Sequence, residues 1–211
     1  MEAAVVRRVS APPALDGTLA GFPTDAPLPL DRADQFRRAE DAWPGPERFS
    51  ARAHLAHDAM ALYVAVEVTH PEPWFRPREL PDPEWENENP DIHSDGVQLY
   101  VEAAGFYGWL LVPEEAGPHV RVSGVRGTDG EPAMVTKAMW RPTDHGYCLT
   151  LAVEVPDLLA QELRLDLCVN GMRAERERRW GQLVWSGARG TRLYLAGDRP
   201  VSGALPRLRI E

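Results

Sequence analysis

The chain has 211 residues, a formal net charge of −9 and an isoelectric point near 5.2. Its length fits one large β domain, which we take to span residues 1–211, and its 44% hydrophobic content supplies a core and excludes global disorder. The acidic balance disfavours a nucleic-acid partner, because a phosphate track needs clustered lysine and arginine.

Alternation of apolar and polar residues with a period of two dominates the chain. In residues 61–69, Leu62, Val64, Val66 and Val68 share one face, and the residues between them share the other. The same alternation recurs in residues 96–102, 146–155 and 163–170. This pattern predicts antiparallel strands that each bury one face.

Turn signals separate these strands. Residues 56–61 predict a hairpin, and the segments 127–132 and 141–146 predict two later turns. One short helix is predicted over 155–163, where Pro156 and Asp157 start a turn or two. Many short strands with little helix favour an all-β, immunoglobulin-like or jelly-roll antiparallel β-sandwich, with a barrel as the alternative.

Two long proline-rich segments, Gly21–Pro46 and His70–Asn89, are not predicted to form strands. Long loops in a compact domain are usually functional or disordered. The second segment carries Trp74, Phe75 and Trp85 among carboxylates and amides, a combination typical of sugar sites, where a ring stacks on the apolar face of a pyranose. The alternative is that these aromatic rings fold back onto the core.

The two cysteines, Cys148 and Cys168, lack metal-binding spacing and are expected to be free buried thiols, although their similar strand positions allow them to be neighbours. No stretch has transmembrane length, so no membrane partner is expected. As it stands, the sequence shows no signal peptide, and we expect a cytoplasmic protein. Removal of a leader would make the protein secreted.

Residues 89–103 contain Asp91, His93 and Asp95 directly before a strand. In an extended chain these three side chains share a face, so Asp91 and Asp95 are candidate ligands of a structural calcium ion. The alternative is that Asp95 caps the turn at Gly96. Nearby acidic residues make glycoside hydrolysis a further hypothesis, because paired carboxylates carry out that reaction. The chain has no G-x-S-x-G or H-E-x-x-H motif to support catalysis. No methionine or histidine has a position that favours haem.

The order of these pieces resembles the family 9 carbohydrate-binding modules and the wider DOMON-like group of sandwiches. The resemblance extends over nearly the whole chain and rests on six stretches: APPALDGTLAGFP, ARAHLAHDAMALYVAVEVTHPEPW, DIHSDGVQLYVEA, GYCLTLAVEVPDLL, RLDLCVNGMRA and WGQLVWSG. It implies two twisted antiparallel sheets, calcium in some members, and a sugar groove on one sheet.

The resemblance also implies site residues. Gln98 stands where the family has an acidic sugar ligand, Asn170 matches the family asparagine, and Arg121 stands near the position of a sugar-binding arginine. The two stacking tryptophans are displaced. Their positions are held by Ile92 or His93 and by Met172 or Arg173, so Trp85 and Trp180 are the candidate replacements.

The sequence therefore predicts non-catalytic binding of a mono- or oligosaccharide. The predicted ligand-binding residues are Gln98, Arg121, Asn170, Arg173, Trp74, Trp85 and Trp180. The alternatives are a structural or protein-interaction sandwich that has lost its sugar site and, less favoured, a weak glycoside hydrolase.

Overall fold

Two β-sheets pack face to face in a computed structural model of the chain, which describes residues 4–37, 42–82, 89–156, 162–187 and 202–211. The strands are β1 Ala4–Arg8, β2 Leu28–Leu30, β3 Phe36–Arg37, β4 Ser50–His57, β5 Leu62–Thr69, β6 Gly96–Glu102, β7 Phe106–Pro113, β8 Val120–Gly124, β9 Val135–Thr143, β10 Gly146–Val153, β11 Arg164–Gly171, β12 Gly181–Val184 and β13 Leu208–Ile210. Within these described ranges, short 3₁₀ helices span Ala33–Gln35, Pro90–Ile92 and Pro132–Met134.

The first sheet has the strand order β13-β1-β4-β5-β10-β9, and β2 also pairs with β4. The second sheet has the order β3-β12-β11-β6-β7-β8. The predicted β-sandwich is confirmed. One edge departs from the predicted antiparallel pairing, because β1 runs parallel to both β4 and β13. Parallel neighbours need a long connection, and residues 9–49 supply one between β1 and β4.

The core lies between the sheets and is built by the period-two alternation. Leu62, Val64, Val66 and Val68 face it from the first sheet, as predicted. The second sheet contributes Val97, Leu99, Val101, Leu165, Leu167 and Val169. The predicted turns are confirmed too: β4 and β5 form a hairpin, as do β9 and β10, and residues 127–132 lie between β8 and β9.

The segment Gly21–Pro46 is more ordered than predicted, because it contains β2, a 3₁₀ helix and β3. Gln35 is fully buried, and its Nε2 donates to the carbonyls of Pro29 at 2.9 Å and Trp185 at 3.0 Å. The sequence did not predict β2 and β3, because strands of two or three residues are too short to show a hydrophobic period. The hydrogen bond from Gln35 to Trp185 could not be predicted either, because the two residues are 150 positions apart. The helix predicted over 155–163 falls mostly on residues 157–161, which lie outside the described part of the chain.

The prediction of one buried face per strand is wrong for both sheets: on the first sheet, Tyr63, Ala65 and Ala152 are buried on the outer face. The second sheet shows the same departure. Tyr100, Cys168 and Asn170 point away from the core, yet each is fully buried. Tyr100 and Cys168 pack with Val184 and Leu205, so a later part of the chain covers this outer face. The sheet thus has a second buried layer, which is where the polar residues of interest lie.

The cysteines are free and buried, as expected. Cys148 lies on β10 and Cys168 on β11, in different sheets, and both side chains point to outer faces, so they are not neighbours. Within the ranges given above, no helix combines the length and apolar character needed to cross a membrane.

Candidate functional site

Three amide side chains form a hydrogen-bonded row on the outer face of the second sheet. Gln98 Nε2 and Gln182 Nε2 each donate to Asn170 Oδ1 at 2.9 Å. Tyr100 donates its hydroxyl to Gln98 Oε1 at 2.6 Å. Because Asn170 Oδ1 accepts two amide donors, the network assigns the orientation of all three amides.

Strand register brings these residues together. On β11 and β6, Cys168 lies opposite Gln98, and on β11 and β12, Asn170 lies opposite Gln182. Residues on one face of a sheet alternate with core residues, so Gln98 and Asn170 become diagonal neighbours on the outer face. Two of the residues named from the resemblance, Gln98 and Asn170, are therefore in direct contact.

A cleft of about 620 Å³ opens beside this row. Ile92, Leu110 and Val125 give it an apolar floor, and Gln98 contributes an amide although only 1% of that residue is exposed. Thr128 also lines the cleft. Asn89, Arg126 and Glu131 add polar side chains to the lining, so the cleft combines an apolar floor with polar groups around it, a combination found in small-molecule sites.

The segment 89–95 lies along this part of the sheet. The Ile92 carbonyl accepts from Asn170 Nδ2 and from Arg179 Nη1, both at 3.4 Å. Asn89 caps the short helix, because its side chain accepts from the Asp91 amide at 3.0 Å. The chain itself thus covers the Asn170 end of the row and leaves the cleft at Gln98.

Arg121 lies on β8, on the same outer face of the second sheet as Gln98, but its guanidinium is bound by another side chain. Its Nε donates to Asp91 Oδ2 at 2.5 Å, and its Nη2 donates to Asp91 Oδ1 at 2.8 Å. Arg76 Nη1 is 3.6 Å from the same carboxylate. The predicted arginine is therefore near the site, but its guanidinium is bound to the protein and does not line the cleft.

Asp95 joins three parts of the chain and is fully buried. Its Oδ1 is 2.8 Å from His70 Nδ1, and its Oδ2 accepts from the backbone amides of Trp74 at 2.9 Å and Met172 at 3.1 Å. Burial raises the pKa of the Asp95 carboxyl, and the contacts with His70 oppose that shift. The alternative in which Asp95 caps the turn at Gly96 is replaced by this longer-range role.

These contacts do not fit a calcium site built on Asp91 and Asp95. All four carboxylate oxygens receive N–H donors or face a histidine nitrogen, whereas calcium requires several free oxygen ligands. Among the residues that the structure describes, no group of three or more histidine, cysteine, aspartate or glutamate side chains is arranged to hold a metal ion.

The predicted tryptophans are not brought together at the cleft. Trp180 is 2% exposed and packs against Phe49 in the core with ring centroids 4.9 Å apart, so it does not offer a stacking face. Arg173 lies over the Trp180 ring at 4.9 Å. Trp74 is half-buried and is not part of the cleft lining. Trp85 lies outside the described residues.

Two members of the site were missed. Gln182 and Tyr100 complete the hydrogen-bond network around Asn170 and Gln98. Tyr100 is two residues from Gln98 on the same strand, so the alternation already placed both on one face. Gln182 alternates with Leu183 in the same way, but its partner strand could not be read from the sequence.

The fold and the site together define a β-sandwich with a polar cleft on the outer face of one sheet. No family model matches the chain, and no curated protein matches it. Solved structures do match: a family 9 carbohydrate-binding module from Caldicellulosiruptor kristjanssonii in complex with cellotriose has a TM-score of 0.60, 13% identity, and coverage of 86% of this chain and 83% of that chain. The same kind of module from that organism in complex with glucose has a TM-score of 0.56 and 13% identity, with coverage of 85% of this chain and 84% of that chain.

A further match comes from Bacteroides uniformis, a protein to which carbohydrate binding has been attributed. It has a TM-score of 0.58 and 11% identity, and the alignment covers 98% of both chains. The resemblance to family 9 modules is thus confirmed at the level of the fold. The wider DOMON-like likeness stays a prediction.

Proposed function

We propose that this protein binds a mono- or oligosaccharide at the Gln98 cleft and does not transform it. The observation that carries the proposal is the fixed amide of Gln98 on an otherwise apolar floor. The carbohydrate-binding modules among its structural neighbours support binding without catalysis.

The hydrogen-bond count at Gln98 suits a hydroxyl group. Nε2 uses one of its two hydrogens on Asn170, and Oε1 uses one of its two lone pairs on the Tyr100 hydroxyl. One donor and one acceptor remain on the same amide. A sugar hydroxyl can satisfy both, while Leu110 and Val125 contact the C–H face of the ring.

Asn170 supports the site as a positioning residue in this proposal. It contacts Gln98 directly and holds the amide so that its free donor and acceptor need no reorganisation when the ligand arrives. A preorganised polar group binds more tightly than a mobile one because less conformational freedom is lost.

Calorimetry with neutral mono- and oligosaccharides, guided by a glycan array, tests the proposal. We expect Gln98→Leu to weaken binding about tenfold or more, since a polar sugar group would face an apolar side chain. Cys168→Ala is the matched control, because Cys168 lies opposite Gln98 on the same buried face but outside the cleft lining. The control should bind within about twofold of the unmodified protein.

A second candidate function has its own support. The Ile92 carbonyl accepts from Asn170 Nδ2, and the Asp91 carboxylate accepts from Arg121 Nε. A sugar bound by Asn170 and Arg121 would use the same donors. This favours a sandwich in which the chain itself fills the groove that the family resemblance implies. Such a protein would serve in structure or protein interaction. Failure of every tested saccharide to bind the folded protein would select this alternative.

A further inference from the structure

A second cavity lies beside Arg121 and is separate from the Gln98 cleft. It has a volume of about 250 Å³ and shares no lining residue with that cleft. A space of this size holds several water molecules or a small organic ion, since one water takes about 30 Å³. Its charged lining is made of three arginines and three glutamates: Arg76, Arg78, Glu79, Glu114, Glu115 and Arg121.

Two mostly buried guanidinium groups form the inner wall of this cavity. The side chains of Arg76 and Arg121 are 5% and 15% exposed. Arg121 uses Nε and Nη2 on Asp91 and on the Arg76 carbonyl, and Arg76 uses Nη2 on two backbone carbonyls. The Nη1 atoms differ. That of Arg76 is 3.6 Å from Asp91 Oδ1, and that of Arg121 is 3.9 Å from Glu114 Oε1.

Both of these Nη1 contacts are longer than a hydrogen bond. Neither Nη1 atom has a hydrogen-bond acceptor among the residues that the structure describes. Two N–H donor groups on the inner wall are therefore left for an oxygen atom that enters the cavity.

The charges around the cavity leave one positive charge unbalanced at its inner wall. Asp91 is the only described carboxylate that forms an ion pair with both inner guanidinium groups. Nearer the mouth, Glu114 Oε1 accepts from Arg78 Nη2 at 2.5 Å, so that pair is neutral. Glu79 and Glu115 are exposed, and water screens their charges. A further anion at the inner wall would balance the charge there.

Glu114 does not supply this anion because its backbone is fixed. Its carbonyl accepts from Trp140 Nε1 at 3.0 Å and from the Gly117 amide at 2.7 Å, and its own amide donates to the His119 carbonyl at 3.0 Å. With the backbone held and the carboxylate bound to Arg78, Glu114 stays 3.9 Å from Arg121. A free ligand has no such tether and can approach to hydrogen-bonding distance.

We propose that this cavity binds a small monocarboxylate, whose oxygens accept from Nη1 of Arg121 and Nη1 of Arg76, and that Glu114 is the internal competitor of that ligand. Arginine suits the role because its planar, permanently charged group pairs with the planar carboxylate. The ion pair of Glu114 with Arg78 is displaced at little cost, since Arg78 is 68% exposed and pairs at the surface contribute little.

The test compares acetate and propionate with acetamide and propionamide, which have the same shapes without the charge. Thermal unfolding of the full chain is followed against ligand concentration at constant ionic strength. We expect saturable stabilisation by the two carboxylates and none by the two amides. The formal net charge of −9 disfavours non-specific uptake of anions, so the background should be low.

Two neighbouring glutamates provide a matched pair of variants. Glu114→Gln keeps the side-chain shape and removes the competing charge, so it should tighten acetate binding about tenfold. Glu115→Gln removes the same charge from a residue that also lines the cavity but has no ion pair within the described part of the chain, and should change the affinity by less than about twofold. Arg121→Gln, with its folded state confirmed, should lose the preference for carboxylate over amide.

Each result bears on a different part of the proposal. Equal effects of carboxylates and amides on the unmodified protein would overturn the site. Equal changes in Glu114→Gln and Glu115→Gln would overturn the competitor role, and a retained carboxylate preference in folded Arg121→Gln would overturn the assigned donor. Tighter binding of inorganic phosphate or sulfate than of acetate would overturn the monocarboxylate class. Saccharide binding at the Gln98 cleft is independent of these results, because the two concavities share no residue.

Discussion

Gln98 and Asn170 are bonded side chain to side chain across β6 and β11 at 2.9 Å, although neither is the other's register partner. The contact is diagonal: Gln98 pairs with Cys168, and Asn170 pairs with Gly96. This contact fixes the Gln98 amide, which lines the cleft.

Asn170→Ala removes an acceptor that two buried amides share. We expect the free energy of unfolding to fall by about 2–4 kcal/mol, because each unpaired buried amide costs about 1–3 kcal/mol. Saccharide affinity should fall with it, as Gln98 loses its fixed orientation. Urea unfolding and calorimetry measure the two effects.

A double-mutant cycle with Gln98→Leu checks this interpretation. Asn170→Ala should cost less affinity when Gln98 is already replaced, since its effect on the ligand is exerted through that amide. Independent, additive effects of the two substitutions on affinity would contradict the positioning role.

Trp180→Phe tests whether the buried tryptophan is a core residue or a sugar platform. The ring packs against Phe49 and Phe36, and its Nε1 has no hydrogen-bond partner to lose. We expect a loss of about 1–3 kcal/mol in stability from the smaller ring, with sugar affinity within about twofold. A well-folded variant with greatly weakened sugar binding would place Trp180 at the ligand.

Asp95 should make stability depend on pH. Its folded-state pKa is raised above the ordinary value by burial, so the folded protein holds this proton more tightly than the unfolded chain. The favourable contribution is full below the ordinary pKa and is lost as pH rises through the raised one. Relative to the wild type, Asp95→Asn should therefore gain stability with increasing pH.

Urea unfolding of both proteins from pH 4 upward measures this difference. The Asn side chain can keep the two backbone donors on its oxygen and donate to His70 Nδ1, so a folded variant is expected. A stability difference that stays constant across the pH range would show that Asp95 does not titrate in this way.

The two thiols should be unreactive in the native state. Burial raises the pKa of Cys148 to about 12 and that of Cys168 well above its ordinary value. At pH 8 a thiol with a pKa near 12 is a thiolate in a fraction of about 10⁻⁴. A colorimetric thiol reagent should label neither cysteine without denaturant and both after unfolding. Rapid native labelling would contradict the buried positions of both residues.

The long strands of the sandwich could be predicted from the sequence, because the alternation of apolar and polar residues that identifies a strand lies within the strand itself. The alternation around Val64, Val97 and Leu149 identifies the core face of each strand without knowledge of its partner. The resemblance to family 9 modules also identified Gln98 and Asn170, which do touch. The short strands β2 and β3 were missed, because their stability comes from partners far along the chain.

Two predicted site residues, Arg121 and Trp180, have different roles in the structure because tertiary contacts determine what their side chains bind. Arg121 is on the predicted face, but a residue 30 positions away engages its guanidinium. Trp180 was expected at a surface, yet Phe49 and His70 enclose it. Neither contact has a periodic signal, since the pairing of distant side chains depends on strand order and loop path.

The sequence by itself determined which residues face the core, where the hairpins turn, and that Gln98 and Asn170 point to an outer face, because period-two alternation is a local property of extended chain. Only the tertiary structure decided that this outer face is itself covered, that Asp91 holds Arg121, and that the open space lies beside Gln98. Those outcomes depend on which distant segments meet, and the free energy of burying and pairing them is set by the whole fold.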